Sequence, residues 1–191
     1  MGKVYDQIDE RLAAWIGAQR IFFVATAPLA AGGLVNCSPR GLEGLALLGP
    51  REVAWLDLTG SGVETIAHLR ENGRIALLFC AFEGPPRIVR LQGRGTVVEP
   101  GDPEFAALRG RFDEHEGVRA VIRVECTRIS DSCGYGVPRM DYQGDRDQLA
   151  AWARRKGPDG LRAYRAKNNA RSVEGLPGLR ASAAWMSDGS T

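Results

Sequence analysis

The chain has 191 residues, with 25 Lys and Arg against 23 Asp and Glu and a formal charge of +2. That length suits one domain with extensions, large enough to bury a core without metal or disulfide staples. The near-neutral balance excludes a strong whole-chain signal for nucleic acid or an acidic membrane surface, so any such contact has to be local.

The opening MGKVYDQIDERLAAW lacks the apolar run of a signal peptide, and no stretch approaches the ~20 apolar residues of a membrane helix. The expectation is a soluble, cytoplasmic protein without a membrane partner. Asp6 precedes a helical pattern in which Ile8, Leu12, Trp15 and Ile16 recur on one side. The period then changes. Six runs, 20–27, 34–40, 51–58, 74–82, 87–99 and 118–130, are apolar, rich in β-branched residues and bounded by Gly, Pro and Asn, which predicts six strands. A helix over 62–72 interrupts them, and DPEFAALRGRF after Pro100 predicts a second, short helix capped by Asp102.

GPP between the fourth and fifth runs is a tight reversal, so these strands pair antiparallel. In the fifth run Val89, Leu91, Gly93, Gly95 and Val97 form a small apolar face, and Arg90, Gln92, Arg94 and Thr96 a polar one. Two glycines on the inward face predict a strong bend or a close backbone approach. IALLFCAF is apolar on both faces and needs a second cover, either a helix or another subunit. Beyond Cys133 the texture shifts to a loop and helical segments near 145–156 and 158–167, with Leu149, Trp152, Leu161 and Tyr164 as a docking side. Residues 139–171 carry nine Arg or Lys and four Asp or Glu, which reads as a solvated helical face. Tyr135 and Trp185 either cover a pocket or dock the tail.

The third strand runs into the helix through LDLTGSGVETIAHL. Two readings stand side by side. Ser61-Gly62-Val63-Glu64 is a capping box, with the Ser61 hydroxyl on the helix and Glu64 reaching back. The same small turn at a helix N-terminus suits a phosphate, since unpaired N–H groups and a partial positive charge face it. Cys37, Cys80, Cys126 and Cys133 show no C-x-x-C spacing and read as small buried hydrophobes in a reducing compartment. His68 and His115 are the only histidines, so no zinc site and no Ser-His-Asp hydrolase are expected. His68 reads as a surface residue paired with Glu64 one turn earlier.

The phrases VNCSPRG, LDLTGSG with TIAHLRENGRIALLF, and PPRIVRLQGRG resemble the pyridoxamine 5'-phosphate oxidase-like family of FMN-binding split barrels over roughly 10–130. CGYGVP and KNNARSVEGLPGL resemble the tail of one bacterial branch. The resemblance implies a mainly β (α+β) fold: a six-stranded antiparallel split β-barrel with flanking helices over 1–132, and a C-terminal helical extension over 133–191 packed on the same domain. It also implies a homodimer with FMN at the subunit interface, the ring against Val35, Asn36, Cys37, Ser38 and Arg40, and the ribityl phosphate near Leu58, Thr59, Ser61, Gly62 and Thr65, with Arg90 as a further guanidinium. Two positions depart from the oxidase proper. Glu64 and Thr65 stand where it has an Arg-Lys pair, and Ile88 stands where it has a Gln. These point away from pyridoxamine phosphate itself and toward another flavin-dependent oxidoreductase acting on a small organic substrate, with deazaflavin or haem as alternative cofactors. A non-catalytic flavin or haem carrier on the same fold is the second reading. The basic tail lacks the interleaved aromatics of a single-strand binder, so no nucleic acid is expected.

Overall fold

The computed structural model describes residues 2–42 and 44–180. In chain order it contains β1 (Val4–Tyr5), α1 (Glu10–Gly17), β2 (Phe22–Thr26), β3 (Asn36–Arg40), β4 (Ala46–Gly49), β5 (Glu52–Leu58), α2 (Glu64–Asn72), β6 (Arg74–Cys80), β7 (Ile88–Val98), α3 (Phe105–Arg109), β8 (Val118–Ser132) and α4 (Gln148–Asn168). All six expected strands form. Two more join them, so the sheet has eight strands rather than six. β1 and β4 are short and lack a period-2 pattern, and it is pairing to β8 and β5 that makes them strands.

The sheet is antiparallel throughout, in the order β3-β2-β6-β7-β8-β5-β4, with β1 added to β8. β2 and β5 are four places apart in that order, yet Phe22 meets Trp55 edge-on at 5.8 Å and stacks on Phe79 at 5.3 Å. The sheet therefore curls until its inner face closes on itself, while the end strands β3 and β4 stay unpaired to each other. Inside lie Val24, Leu77, Val89, Leu91, Ile122 and Ile129, plugged by Leu12 and Ile16 of α1 and Ile66 of α2. A second apolar layer, Leu56, Leu58, Val98 and Val121, lies on the outer face under Phe105, Leu108 and Leu149.

The inward glycines of β7 show why the strand can curl. A Cβ on Gly93 would lie 1.9 Å from the Glu125 carbonyl oxygen, and one on Gly95 would lie 2.7 Å from Leu69 of α2. Gly93 adjoins a register shift in the β7–β8 pairing, so backbone rather than a movable side chain meets the added carbon. Gly93→Ala is accordingly expected to cost about 3 kcal/mol or more, above the usual overpacking penalty. Urea unfolding reads this directly, and a loss under ~1 kcal/mol would show that the β7–β8 ladder yields.

The helix ends differ from expectation. α1 is capped by Asp9, whose carboxylate accepts from Leu12 N at 2.7 Å, so the cap lies three residues after Asp6. α3 follows Glu104, while Asp102 instead accepts from Glu99 N at 2.8 Å and so closes the turn before it. α4 joins the two expected helical segments, with a break at Gly157 (φ 64°, ψ 174°) ahead of Pro158. Trp152 and Tyr164 meet across that break at 4.9 Å. Trp185 lies outside the described residues, and Tyr135 is exposed. Among the described residues no helix is long and apolar enough to cross a membrane.

Candidate functional site

The short β4 pairs only with the first half of β5, and beyond it charged side chains bridge β3 and the end of β5. Asp57 is the last inward residue of β5 after Val53 and Trp55, and it is fully buried. Arg40 of β3 reaches its Oδ1 at 3.0 Å, and Arg119 Nε donates to its Oδ2 at 2.7 Å. The pairing explains how Arg119 gets there. Asp57 sits opposite Ala120 and Leu58 opposite Val118, so Arg119 is the extra residue of a bulge. A bulge re-aims a side chain, and here it turns a guanidinium inward beside the carboxylate. Burial pushes the Asp57 carboxyl up, but Arg119 and Arg40 together hold it below the ordinary carboxylate range.

One carboxylate does not exhaust two guanidiniums. Arg119 is 2% exposed, and its Nη1 is buried with no acceptor among the described residues; Arg40 Nε is in the same condition. Both residues line a cavity of about 210 Å³ together with Asn36, Ser38, Ser61 and Thr65. Its floor is the turn Gly60-Ser61-Gly62 and the start of α2, whose first backbone N–H groups have no partner within the helix.

The capping box does not form. The residue preceding α2 is Val63, with no side-chain cap, and Ser61 lies outside the helix, exposed. The Glu64 carboxylate instead folds over Gly62, where a Cβ would meet its Oε2 at 2.3 Å, and Oε1 lies 3.4 Å from Val173 N. Glu64 thus puts a negative charge at the helix N-terminus, favourable to the helix and opposed to any anion entering beside it.

The upper wall is a hydrogen-bonded chain. Ser38 Oγ donates to Asn36 Oδ1 at 2.9 Å, and Asn36 Nδ2 donates to Thr65 Oγ1 at 3.0 Å and Thr26 Oγ1 at 3.1 Å. Thr26 in turn meets His68 Nδ1 at 3.0 Å. His68 is not a surface residue paired with Glu64: it is fully buried, with Nε2 turned toward Glu174 at 3.7 Å. α2 packs between the sheet and the segment after α4, so the side expected to face solvent is covered. Glu174 also accepts from Leu34 N at 3.2 Å, Asn169 Nδ2 donates to the Gly60 carbonyl at 3.0 Å, and Leu179 N donates to Asn169 O at 2.8 Å. KNNARSVEGLPGL is therefore the brace of the turn and of the approach to β3.

Of the residues expected at a cofactor, the structure gathers Asn36, Ser38, Arg40, Ser61, Gly62 and Thr65 around one cavity and leaves five elsewhere. Val35 is 74% exposed ahead of β3. Cys37 is exposed rather than buried, because strand alternation turns it away from Asn36 and Ser38. Leu58 belongs to the outer apolar layer. Thr59 is buried behind the turn, donating to the Gly117 carbonyl at 2.7 Å and accepting from Arg165 Nε at 2.8 Å. Arg90 lies on the outer face of β7, bonded to Ser132 Oγ at 3.0 Å. Of the other cysteines, Cys80 and Cys126 are buried as expected, whereas Cys133 is exposed. Asp57 and Arg119 were not foreseen. A lone carboxylate in AWLDL, in step with the inward Val53 and Trp55, was the available sign, since a buried charge requires a partner.

Comparison with known proteins agrees with this architecture. A family model described as pyridoxamine 5'-phosphate oxidase matches residues 8–133. A curated relative, the pyridoxamine 5'-phosphate oxidase family protein ustO of Aspergillus flavus, is 40% identical over 192 residues, covering 92% of this chain and 77% of its own. Among solved structures, a single-residue variant of HupZ from Group A Streptococcus shares the fold at a TM-score of 0.50 and 21% identity, over 65% of this chain and 99% of its own. With that match over most of the barrel and 40% identity along nearly the whole chain, the protein belongs to the pyridoxamine 5'-phosphate oxidase family.

Proposed function

We propose that the protein is a homodimeric, FMN-dependent oxidoreductase acting on a small organic substrate, with the flavin phosphate held at the β5–α2 turn. The observation that carries this reading is Arg119: a fixed, desolvated guanidinium with an unused donor, lining a cavity floored by a helix N-terminus. Leaving such a donor unpaired costs ~1–3 kcal/mol or more, and a phosphate oxygen satisfies it with a charge-assisted bond. Arg40 supplies a second charge, and the Ser61 hydroxyl and the turn supply neutral donors.

FMN, when bound, supplies the hydride or electron transfer. The chain's own residues anchor and orient it. Asn36 and Ser38 are locked by Thr26 and Thr65, so the polar wall is set before a ligand arrives. The segment after α4 braces the turn from one side, through Asn169 on the Gly60 carbonyl.

Two features favour a site shared between subunits. At about 210 Å³ the cavity is below the roughly 300–1,000 Å³ of a complete small-molecule site. The outer face of β2 and β6 carries Phe23, Ala25, Ala76 and Leu78, all only half-buried, and Leu34 and Val35 beside it are exposed at 64% and 74%. That apolar strip is the second face of IALLFCAF, for which the sequence demands a cover. Haem fits less well, since His68 is sealed in the core with one ring nitrogen committed to Thr26.

FMN titrated into apo-protein is expected to lose its fluorescence with a dissociation constant in the low micromolar range, about −8 kcal/mol, at one flavin per chain. Light scattering is expected to return twice the chain mass. No quenching up to ~100 μM would remove the flavin reading, and a mass near 20.7 kDa would remove the shared site. Deazaflavin is separated by repeating the titration with it, and a carrier is separated from an enzyme by turnover.

A further inference from the structure

The upper wall of the cavity is a single file of hydrogen bonds whose members have few hydrogens to give. A hydroxyl has one, a neutral imidazole has one, and an amide donates only from its nitrogen. Thr26, Thr65 and His68 are buried, so an unmatched group among them is costly. The chain from Ser38 through Asn36 and Thr26 to a neutral His68 therefore closes in two directions only. In one, Ser38 donates to Asn36 Oδ1, Asn36 Nδ2 donates to Thr26 Oγ1, and Thr26 donates to a bare His68 Nδ1, which puts the ring proton on Nε2. In the other every bond reverses, and Nε2 is bare.

Glu174 decides between them. Its Oε2 lies 3.7 Å from His68 Nε2. Leu34 N donates to its Oε1 at 3.2 Å and the Ser172 hydroxyl to its Oε2 at 2.8 Å. The Ser172 bond above all keeps this carboxyl below its ordinary range, so an anion faces the ring. A carboxylate attracts an N–H and repels a lone pair. The neutral ring thus carries its proton on Nε2, and the first direction holds. The consequence appears at the cavity. Ser38 has given its only hydrogen to Asn36, so it turns only lone pairs to the cavity. Thr65 is the opposite: its oxygen accepts from Asn36 Nδ2 at 3.0 Å, and its hydrogen remains to donate.

We propose that His68, which does not line the cavity, is a positioning residue for it: through Thr26 and Asn36 it fixes Ser38 as an acceptor and Thr65 as a donor toward the ligand. An N–H or O–H of the ligand then belongs beside Ser38, and an oxygen beside Thr65, next to the turn. Glu174 is the far anchor, so the C-terminal segment sets the polarity of a wall to which it contributes no residue. The inference rests on the flavin reading only in taking FMN as the ligand.

Two measurements test it, and the first needs no ligand. His68 and His115 are the only histidines, so nitrogen NMR of apo-protein labelled at histidine, at about pH 8 where an ordinary imidazole is neutral, is assigned with a His115→Gln variant. We expect His68 to be protonated on Nε2 with Nδ1 bare, and Glu174→Leu, which removes the anion, to populate both tautomers. A ring protonated on Nδ1, or an imidazolium, reverses the chain and overturns the proposal. An unchanged tautomer in Glu174→Leu overturns the anchor. The second measurement is a double-mutant cycle in FMN affinity. Ser38→Ala and Thr26→Val should each weaken FMN about fivefold, the size of one hydrogen bond, and together little more than either alone. Thr26→Ser, which keeps the hydroxyl, should bind within about twofold of wild type. Losses that multiply to ~25-fold, or a Thr26→Val variant that is less stable yet binds FMN as wild type does, would make the chain purely structural and overturn the proposal. If FMN does not bind at all, the flavin reading fails, and the tautomer alone decides the role of His68.

Discussion

Asp57→Asn is expected to destabilise the protein by about 3–5 kcal/mol, the penalty for stranding a buried charge. The carboxylate is fully buried between Arg40 and Arg119. An amide of the same shape leaves no cavity, so the loss reports charge alone. Against a typical total of ~5–15 kcal/mol this is a large fraction. The pH dependence carries the same signature. Because the arginines hold the folded carboxyl below its ordinary value, its contribution is complete above the unfolded value, near pH 4. It is lost as pH falls through the folded value. Wild type should therefore lose melting temperature below ~pH 4, and Asp57→Asn should lack that part of the fall. Urea unfolding at pH 7 measures the difference, and a variant within ~1 kcal/mol of wild type would mean that the two guanidiniums find other acceptors.

The second large effect concerns the turn. Ser61 is exposed and makes no cap, so Ser61→Asp should leave apo-protein stability within ~0.5 kcal/mol. If the turn holds the flavin phosphate, the added carboxylate faces a dianion and should weaken FMN ~10–100-fold, while riboflavin, which lacks the phosphate, changes less than about twofold. Glu64 gives the complementary experiment. Its carboxylate borders the same cavity, and Glu64→Gln removes ~1 kcal/mol of like-charge opposition at the solvated edge, tightening FMN about fivefold. Fluorescence titrations at one salt concentration compare these affinities, since an exposed charge is screened. Equal losses for FMN and riboflavin in Ser61→Asp would place the phosphate elsewhere.

The strands were legible because period and composition act locally. Alternation in RLQGRGTVV and the apolar runs of β5 and β6 need no knowledge of what lies opposite, and the inward glycines of β7 signalled a close approach that Glu125 and Leu69 then made. The family phrases carried the fold and the cluster Asn36, Ser38 and Arg40, which share one face simply because a strand alternates.

What only the tertiary structure decided has a common cause: each case depends on a register or a cover that the local sequence does not encode. A one-residue bulge between Asp57 and Leu58 turns Arg119 inward, and without it the same residue would join the outer layer beside Val118 and Val121. The segment 169–179 covers α2, which converts His68 from an apparent surface residue into a buried partner of Thr26 and moves Glu64 onto Gly62 instead of into a capping box. Thr59 and Arg90 were placed at the cofactor by analogy of position, but the Thr59 hydroxyl is taken by Gly117 and Arg165, and Arg90 points from the outer face. Sequence thus determined which residues are apolar, alternating or able to turn, because those preferences are paid within a few residues. Which polar groups meet was decided by the long-range pairing of β3, β5, β8 and the C-terminal brace, because a buried charge is stable only where distant segments bring its partner.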